Sequence, residues 1–99
     1  MYPHADFENA PIAIWLNGGP GASSSFANFL MNGPMRITQD SQDNYIVSLA
    51  EQGSWVDAAT MIYVDQPVGT GFSYASPDPA KTLLTTMDEA VTEFMYFLD

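Results

Sequence analysis

Three glycines and a proline fall within five positions at residues 17–21 (NGGPG), and this segment limits the possible folds of the chain more than any other. Such a run forms neither a regular helix nor a regular strand, so it predicts a sharp turn. The apolar run PIAIWL at residues 11–16 precedes the turn and predicts a buried strand. A helical pattern follows at residues 23–31, with Ser23 or Ser24 as its N-cap and Phe26, Phe29 and Leu30 on one face.

The same order recurs in the second half of the chain. Residues 60–64 (TMIYV) predict a second buried strand, and residues 65–74 (DQPVGTGFSY) predict a glycine-rich loop. An apolar stripe across residues 82–98 predicts a long helix that packs into a core, with a capping box between Thr86 and Glu89. Two shorter strands are expected at residues 35–38 and 45–49. Alternating strands and helices predict one α/β domain over residues 1–99, with a parallel sheet.

Composition argues against several classes of protein. Twelve acidic residues against two basic ones give a net charge of −10, which disfavours a nucleic-acid partner. The chain has no cysteine and a single histidine, His4, so neither a metal site nor a bound cofactor is expected. No apolar stretch approaches the length of a membrane span, and residues 1–10 do not resemble a signal peptide.

The turn at residues 17–21 has three interpretations on the sequence pattern alone. It is a tight connection that binds nothing, a nucleotide-binding loop, or an oxyanion hole. Glycine lacks a Cβ atom, so a ligand atom can approach the backbone N–H groups of Gly18 and Gly19 closely. The helix that follows directs its positive end toward the same place, which favours an anion or an oxyanion.

The nucleotide alternative rests on the segment GPGASS at residues 19–24, which has the first two glycines of the dinucleotide fingerprint and Ser24 in third place. A phosphate-binding P-loop is excluded because no lysine follows the last glycine. Pro20 inside the loop and the absence of an acidic strand end about 20 residues further on disfavour a dinucleotide. An oxyanion loop of an α/β-hydrolase follows the third strand of that fold.

Two long motifs resemble the serine carboxypeptidase family. Residues 15–24 (WLNGGPGASS) match the signature of that family with one change, and residues 63–74 (YVDQPVGTGFSY) match a second family segment. Weaker matches lie at residues 32–34 (NGP) and 54–55 (SW). The resemblance covers roughly residues 9–98.

The resemblance implies a partial α/β-hydrolase fold, built as strand, oxyanion loop and helix followed by strand, loop and helix. Gly18 and Gly19 would then offer N–H groups to the oxyanion of an acyl-transfer reaction. Trp15 and Asn17 would bind the C-terminal carboxylate of a peptide or protein substrate. Asp65 would fix the second loop, which borders the same cleft. Family members enter the secretory route to the vacuole, the lysosome or the exterior.

The chain departs from the family pattern in ways that bear on activity. The nucleophile motif Gly-x-Ser-x-Gly is absent, as are the Asp and His that follow it, and the sequence looks cut at both ends. His4 precedes the third strand and cannot serve as the missing base. The isolated chain is therefore expected to be inactive.

Two substitutions relative to the family pattern, and the exposed edges of the predicted sheet, are compatible with other functions. Ala22 stands where many members have a cysteine, and Met31 stands where many have a glutamate that helps to bind the substrate carboxylate. An endopeptidase or acyltransferase variant of the scaffold is therefore an alternative to a carboxypeptidase. A non-catalytic remnant is another, with a protein partner that covers the exposed sheet edges.

Overall fold

The computed structural model describes residues 1–75, 78 and 83–99. The elements are β1 (Ile12–Leu16), α1 (Ser25–Leu30), β2 (Met35–Gln39), β3 (Tyr45–Leu49), β4 (Thr60–Val64) and α2 (Met87–Leu98), with a 3₁₀ turn over Trp55–Asp57. The predicted α/β class and the order of its two strand–loop–helix segments are confirmed. The chain divides into two compact units, the first formed by Met1–Trp15 and Ser25–Tyr63 and the second by Leu16–Ser24 and Val64–Asp99.

The strands form two small sheets. β1 pairs with β4, and β2 pairs with β3 in an antiparallel hairpin whose register runs from Met35 opposite Leu49 to Gln39 opposite Tyr45. The N-terminal segment adds an isolated antiparallel bridge, since the N–H of Tyr2 donates to the carbonyl of Met61 at 2.8 Å. The predictions of strands near residues 35–38 and 45–49 are therefore confirmed.

The prediction that β1 is buried is wrong. Ile12 is 69% exposed and Ile14 and Leu16 also lie at the surface, whereas β4 has Thr60 and Met61 buried. Among the described residues, the buried apolar side chains are those of Ala27, Ala59 and Met61, so the apolar core is small. A short apolar run cannot reveal which of its residues will find a covering layer, because that depends on distant parts of the chain.

Helix α1 is shorter than predicted and buries a different face. Phe26 and Leu30, which the sequence places on one face, are 55% and 52% exposed, and the buried residues of the helix are Ala27 and Asn28. The chain then turns so tightly that the N–H groups of residues 31, 32 and 33 converge on the carbonyl of Ala27 at 3.0–3.2 Å. The packing of α1 therefore depends on the small residues at this turn and not on the aromatic residues of the helix.

Helix α2 carries the predicted capping box. The Thr86 hydroxyl accepts from the N–H of Glu89 at 3.3 Å, and the Glu89 carboxylate accepts from the N–H of Thr86 at 3.0 Å. The helix begins at Met87; Thr82, its predicted first residue, lies outside the described residues. Within the described part of the chain, no helix combines the length and hydropathy needed to cross a bilayer.

The prediction that the apolar stripe of α2 is packed core is wrong for this structure. Met87, Val91 and Met95 are 69%, 53% and 58% exposed, and α2 has no buried residue. Phe94 is half-buried and stacks on Phe97 with ring centroids 5.8 Å apart. The other described residues of the second unit lie mainly in loops, which offer less apolar area to a helix than a sheet does.

Candidate functional site

The glycine loop, defined as residues 17–24, connects β1 to α1. The N–H of Ala22 donates to the carbonyl of Gly18 at 3.3 Å, and the N–H of Asn17 donates to the Ser24 hydroxyl at 3.0 Å. Gly19 has a φ of 133°, in the region that a side chain disfavours. The peptide bond between Gly19 and Pro20 is cis. The loop is thus a closed turn whose conformation depends on glycine.

The backbone N–H groups of Gly18 and Gly19 take no part in the hydrogen bonds within the glycine loop. Among the residues that the structure describes, neither N–H donates to an acceptor, and both glycines are exposed. A Cβ atom built on Gly18 would meet nothing within 4 Å. Two N–H donors on adjacent, exposed residues are what an oxyanion site requires.

The second loop, defined as residues 65–74, is tied to the glycine loop through Asp65. One oxygen of the Asp65 carboxylate accepts from the Ser23 hydroxyl at 2.7 Å and from the N–H of Ser24 at 2.6 Å. The other oxygen accepts from the N–H of Phe72 at 2.9 Å. These contacts agree with the interpretation of Asp65 as a residue that fixes the loop.

A cavity of about 420 Å³ opens at the glycine loop within the second unit. It is lined by residues 17–20 of the glycine loop, by Gln66 and Pro67 of the second loop, and by residues 84–87 and 90 at the start of α2. This volume lies in the range of small-ligand sites, roughly 300–1,000 Å³. The lining combines apolar side chains such as Leu84 and Met87 with a few polar groups, as such sites usually do.

Three of the four predicted site residues lie together at this cavity: Asn17, Gly18 and Gly19. Trp15 belongs to the first unit, where its ring makes an edge-to-face contact with Trp55 at a centroid distance of 5.3 Å. A role for Trp15 in substrate binding stays a prediction. Met31, the substituted position, also belongs to the first unit and is 49% exposed.

Sequence reasoning missed the contribution of α2 to the cavity. Thr85, Thr86 and Met87 line it, although the sequence assigned the Thr86 region only a capping role. The capping box was the signal that could have found them, because it marks a helix start whose N–H groups carry partial positive charge. Nothing local in the sequence places that helix start beside residues 17–20.

The cap of α2 should make this wall of the cavity sensitive to acid. The N–H groups of Thr85 and Thr86 donate to the Glu89 carboxylate at 2.8 and 3.0 Å, which lowers the pKa of Glu89 from its ordinary value. A lowered pKa in the folded state stabilises the helix start above the ordinary pKa of glutamate, about 4.3. That stabilisation is lost as the pH falls through the lowered value.

We therefore expect the helical circular dichroism at 222 nm to decrease below about pH 4, by more than in a Glu89→Gln variant. The amide of glutamine can cap the helix but does not titrate. Both proteins contain the same other carboxylates, so the difference between the two curves reports the loss of the Glu89 carboxylate. If the circular dichroism of the two proteins changes identically with pH, the assignment of the acid sensitivity to Glu89 is contradicted.

Comparison with known proteins identifies the family to which this chain is similar. The family model described as serine carboxypeptidase matches residues 2–99. The pheromone-processing carboxypeptidase KEX1 of Tuber melanosporum is 44% identical over 96 residues, which cover 90% of this chain and 14% of that protein. The corresponding protein of Schizosaccharomyces japonicus is 44% identical over 85 residues, covering 86% of this chain and 15% of that protein.

A solved structure is similar in fold. The crystal structure of a prohormone-processing carboxypeptidase from Saccharomyces cerevisiae superposes with a TM-score of 0.75 and 33% identity, covering 92% of this chain and 19% of that one. The chain thus spans 14–15% of the length of the curated relatives named above. With the family model matching residues 2–99, the chain belongs to the serine carboxypeptidase family and has part of the α/β-hydrolase fold.

Proposed function

We propose that this chain supplies the oxyanion-binding segment of a serine carboxypeptidase, a hydrolase that releases residues from the C-terminal end of a peptide or protein. The observation that carries the proposal is the pair of N–H groups of Gly18 and Gly19, which have no acceptor among the described residues and adjoin the 420 Å³ cavity. No cofactor or metal enters this proposal.

In the proposed reaction, a serine hydroxyl attacks the carbonyl carbon of the last peptide bond while a base takes its proton. The carbonyl oxygen becomes an oxyanion, and the N–H groups of Gly18 and Gly19 donate hydrogen bonds to it. Collapse of the tetrahedral intermediate breaks the C–N bond, the released amine takes the proton, and water later hydrolyses the acyl-enzyme. The glycine donors act at both tetrahedral stages.

Asn17 is the residue that we assign to the substrate carboxylate, and the role of Trp15 in substrate binding stays a prediction from the family resemblance. Asn17 lines the cavity next to the two glycines, and the amide of an asparagine has two N–H donors, which suit a carboxylate. Met31 brings neither a proton nor a hydrogen-bond donor to such a carboxylate. An endopeptidase or acyltransferase activity therefore remains the alternative on the same scaffold.

A non-catalytic role has one observation in its favour. In the β2–β3 hairpin, Tyr45 and Leu49 are 76% and 77% exposed, and every residue of β3 lies at the surface. Such a strand can pair with a protein partner. In that case the chain would contribute no catalysis in any context, and a chimeric enzyme that carries it would be inactive.

The proposal predicts activity from a chimera and none from the isolated chain. The 99 residues contain no Gly-x-Ser-x-Gly nucleophile motif, so the chain alone should not hydrolyse a blocked dipeptide. Replacing the matched segment of the Saccharomyces cerevisiae carboxypeptidase with this chain should preserve hydrolysis that a serine-directed inhibitor abolishes. The unmodified host enzyme is the positive control.

Each outcome of this experiment discriminates between the candidates. A folded chimera that cleaves blocked dipeptides from the C-terminal end supports the carboxypeptidase. Cleavage of internal bonds, or transfer of the acyl group to an added alcohol, supports the variant scaffold. A folded but inactive chimera overturns the oxyanion assignment. Hydrolysis by the isolated chain contradicts the prediction that it lacks a nucleophile.

The proposed location is the secretory route, ending in the vacuole, the lysosome or outside the cell. The relatives are named as pheromone-processing and prohormone-processing carboxypeptidases, and processing of secreted peptides takes place along that route. We propose a peptide or protein substrate on the same ground.

A further inference from the structure

We propose that Asp65 is a positioning residue for the oxyanion site: its carboxylate holds the glycine loop in the conformation that presents the N–H groups of Gly18 and Gly19. The inference rests on the proposed function for its catalytic consequence. Its structural content stands on contacts within the second unit alone and can be tested without any activity.

The Asp65 carboxylate joins two stretches of chain that are far apart in sequence. On one side it accepts from the Ser23 hydroxyl and the N–H of Ser24, 42 and 41 residues away. On the other side it accepts from the N–H of Phe72. Hydrogen bonds to an ionised carboxylate are shorter and stronger than bonds between neutral groups. These three hydrogen bonds to Asp65, together called the clamp, therefore resist displacement.

The clamp reaches the glycines through Ser24. The Ser24 hydroxyl donates to the carbonyl of Val64 at 2.6 Å and accepts from the N–H of Asn17 at 3.0 Å. Ser24 is 1% exposed, so water does not replace these bonds in the folded chain. Asp65 therefore fixes the backbone of Ser24, and Ser24 fixes Asn17, which directly precedes Gly18.

The second loop leaves room for the carboxylate at Gly71. This residue has a φ of 55°, and a Cβ atom built on it would lie 2.5 Å from the Asp65 carboxyl carbon and 2.8 Å from the Ser23 hydroxyl. Ser73 adds a bond from its hydroxyl to the Asp65 carbonyl at 2.6 Å. The loop is thus shaped around the carboxylate, which indicates a built feature of the fold.

The test is amide hydrogen exchange in the ¹⁵N-labelled 99-residue chain. In an Asp65→Ala variant, the N–H of Asn17 should exchange about tenfold faster or more, and the resonances of Gly18 and Gly19 should shift. In Asp65→Asn, the amide oxygen can still accept from Ser24 but the NH₂ group opposes the N–H of Phe72. That variant should lie between wild type and Asp65→Ala.

Asp40→Ala is the matched control. The Asp40 carboxylate also accepts from backbone N–H groups, those of Gln42 and Asn44 at 2.7 and 3.0 Å, but in the β2–β3 turn of the first unit. Its removal should speed exchange in the hairpin and leave Asn17 unchanged. If Asn17 exchanges at the wild-type rate in Asp65→Ala, the proposal is overturned.

Two further results keep the test decisive. If Asp65→Ala unfolds the chain, so that the hairpin resonances also collapse, Asp65→Asn decides: faster exchange at Asn17 with an intact hairpin supports the clamp, and wild-type exchange overturns it. In the chimera, Asp65→Asn should lower kcat with little change in KM, because the oxyanion forms only in the transition state. An inactive chimera refutes the proposed function and leaves the exchange result standing.

Discussion

Replacing Gly33 by alanine should destabilise the first unit by about 3 kcal/mol or more. The new Cβ would overlap the backbone and side-chain oxygens of Asn28 and lie 2.6 Å from its Cα. Asn28 cannot move aside easily, because it is 6% exposed and its side-chain amide donates to the Tyr2 hydroxyl at 2.9 Å. The overlap is with a buried helical backbone, which relaxes only by distorting α1 itself.

The measurement is the free energy of unfolding from a urea titration, with Gly18→Ala as the control. A Cβ on Gly18 meets nothing within 4 Å, and its φ is not in the positive range, so its alanine variant should differ from wild type by less than about 0.5 kcal/mol. Equal urea midpoints for the two variants would contradict the argument that the turn at residues 28–33 has no room for a side chain at Gly33.

Much of the fold was predictable because its signals are local. The glycine-rich segments at 17–21 and 65–74 mark turns by composition, the strand β4 follows from its β-branched residues, and the cap at Thr86 follows from a four-residue pattern. Of the site, Asn17, Gly18 and Gly19 were identified through the resemblance to a family, since the local pattern also allowed a nucleotide loop.

The burial of the elements was not predictable for a physical reason. An apolar stripe indicates that one face of an element is unfavourable in water. Which residues cover that face depends on distant parts of the chain. Thus Ile12 and Val91 were expected inside and lie at the surface, whereas Ala27 and Asn28 pack where Phe26 does not. The wall of the cavity at Thr85 and Met87 depends on the same long-range packing.

Replacing Gly19 by alanine should reduce the kcat of the chimera by about 10²–10³-fold, the usual cost of losing one oxyanion donor. The residue has a φ of 133°, and a Cβ atom there would lie 3.1 and 3.2 Å from the backbone nitrogens of Gly21 and Ala22. The loop must shift to admit the methyl group. The N–H of residue 19 then no longer points to the position of the oxyanion, and KM should change much less than kcat.

Gly53→Ala separates this effect from backbone strain alone. Gly53 also has a positive φ, 79°, but a Cβ there meets nothing within 4 Å and the residue lies in the first unit. Its alanine variant should lose stability to a similar conformational penalty and keep its kcat, because no donor to the oxyanion moves. If both variants lose kcat equally, the loss reflects general destabilisation. If Gly19→Ala raises KM alone, the glycine loop binds the substrate in its ground state and does not stabilise the oxyanion.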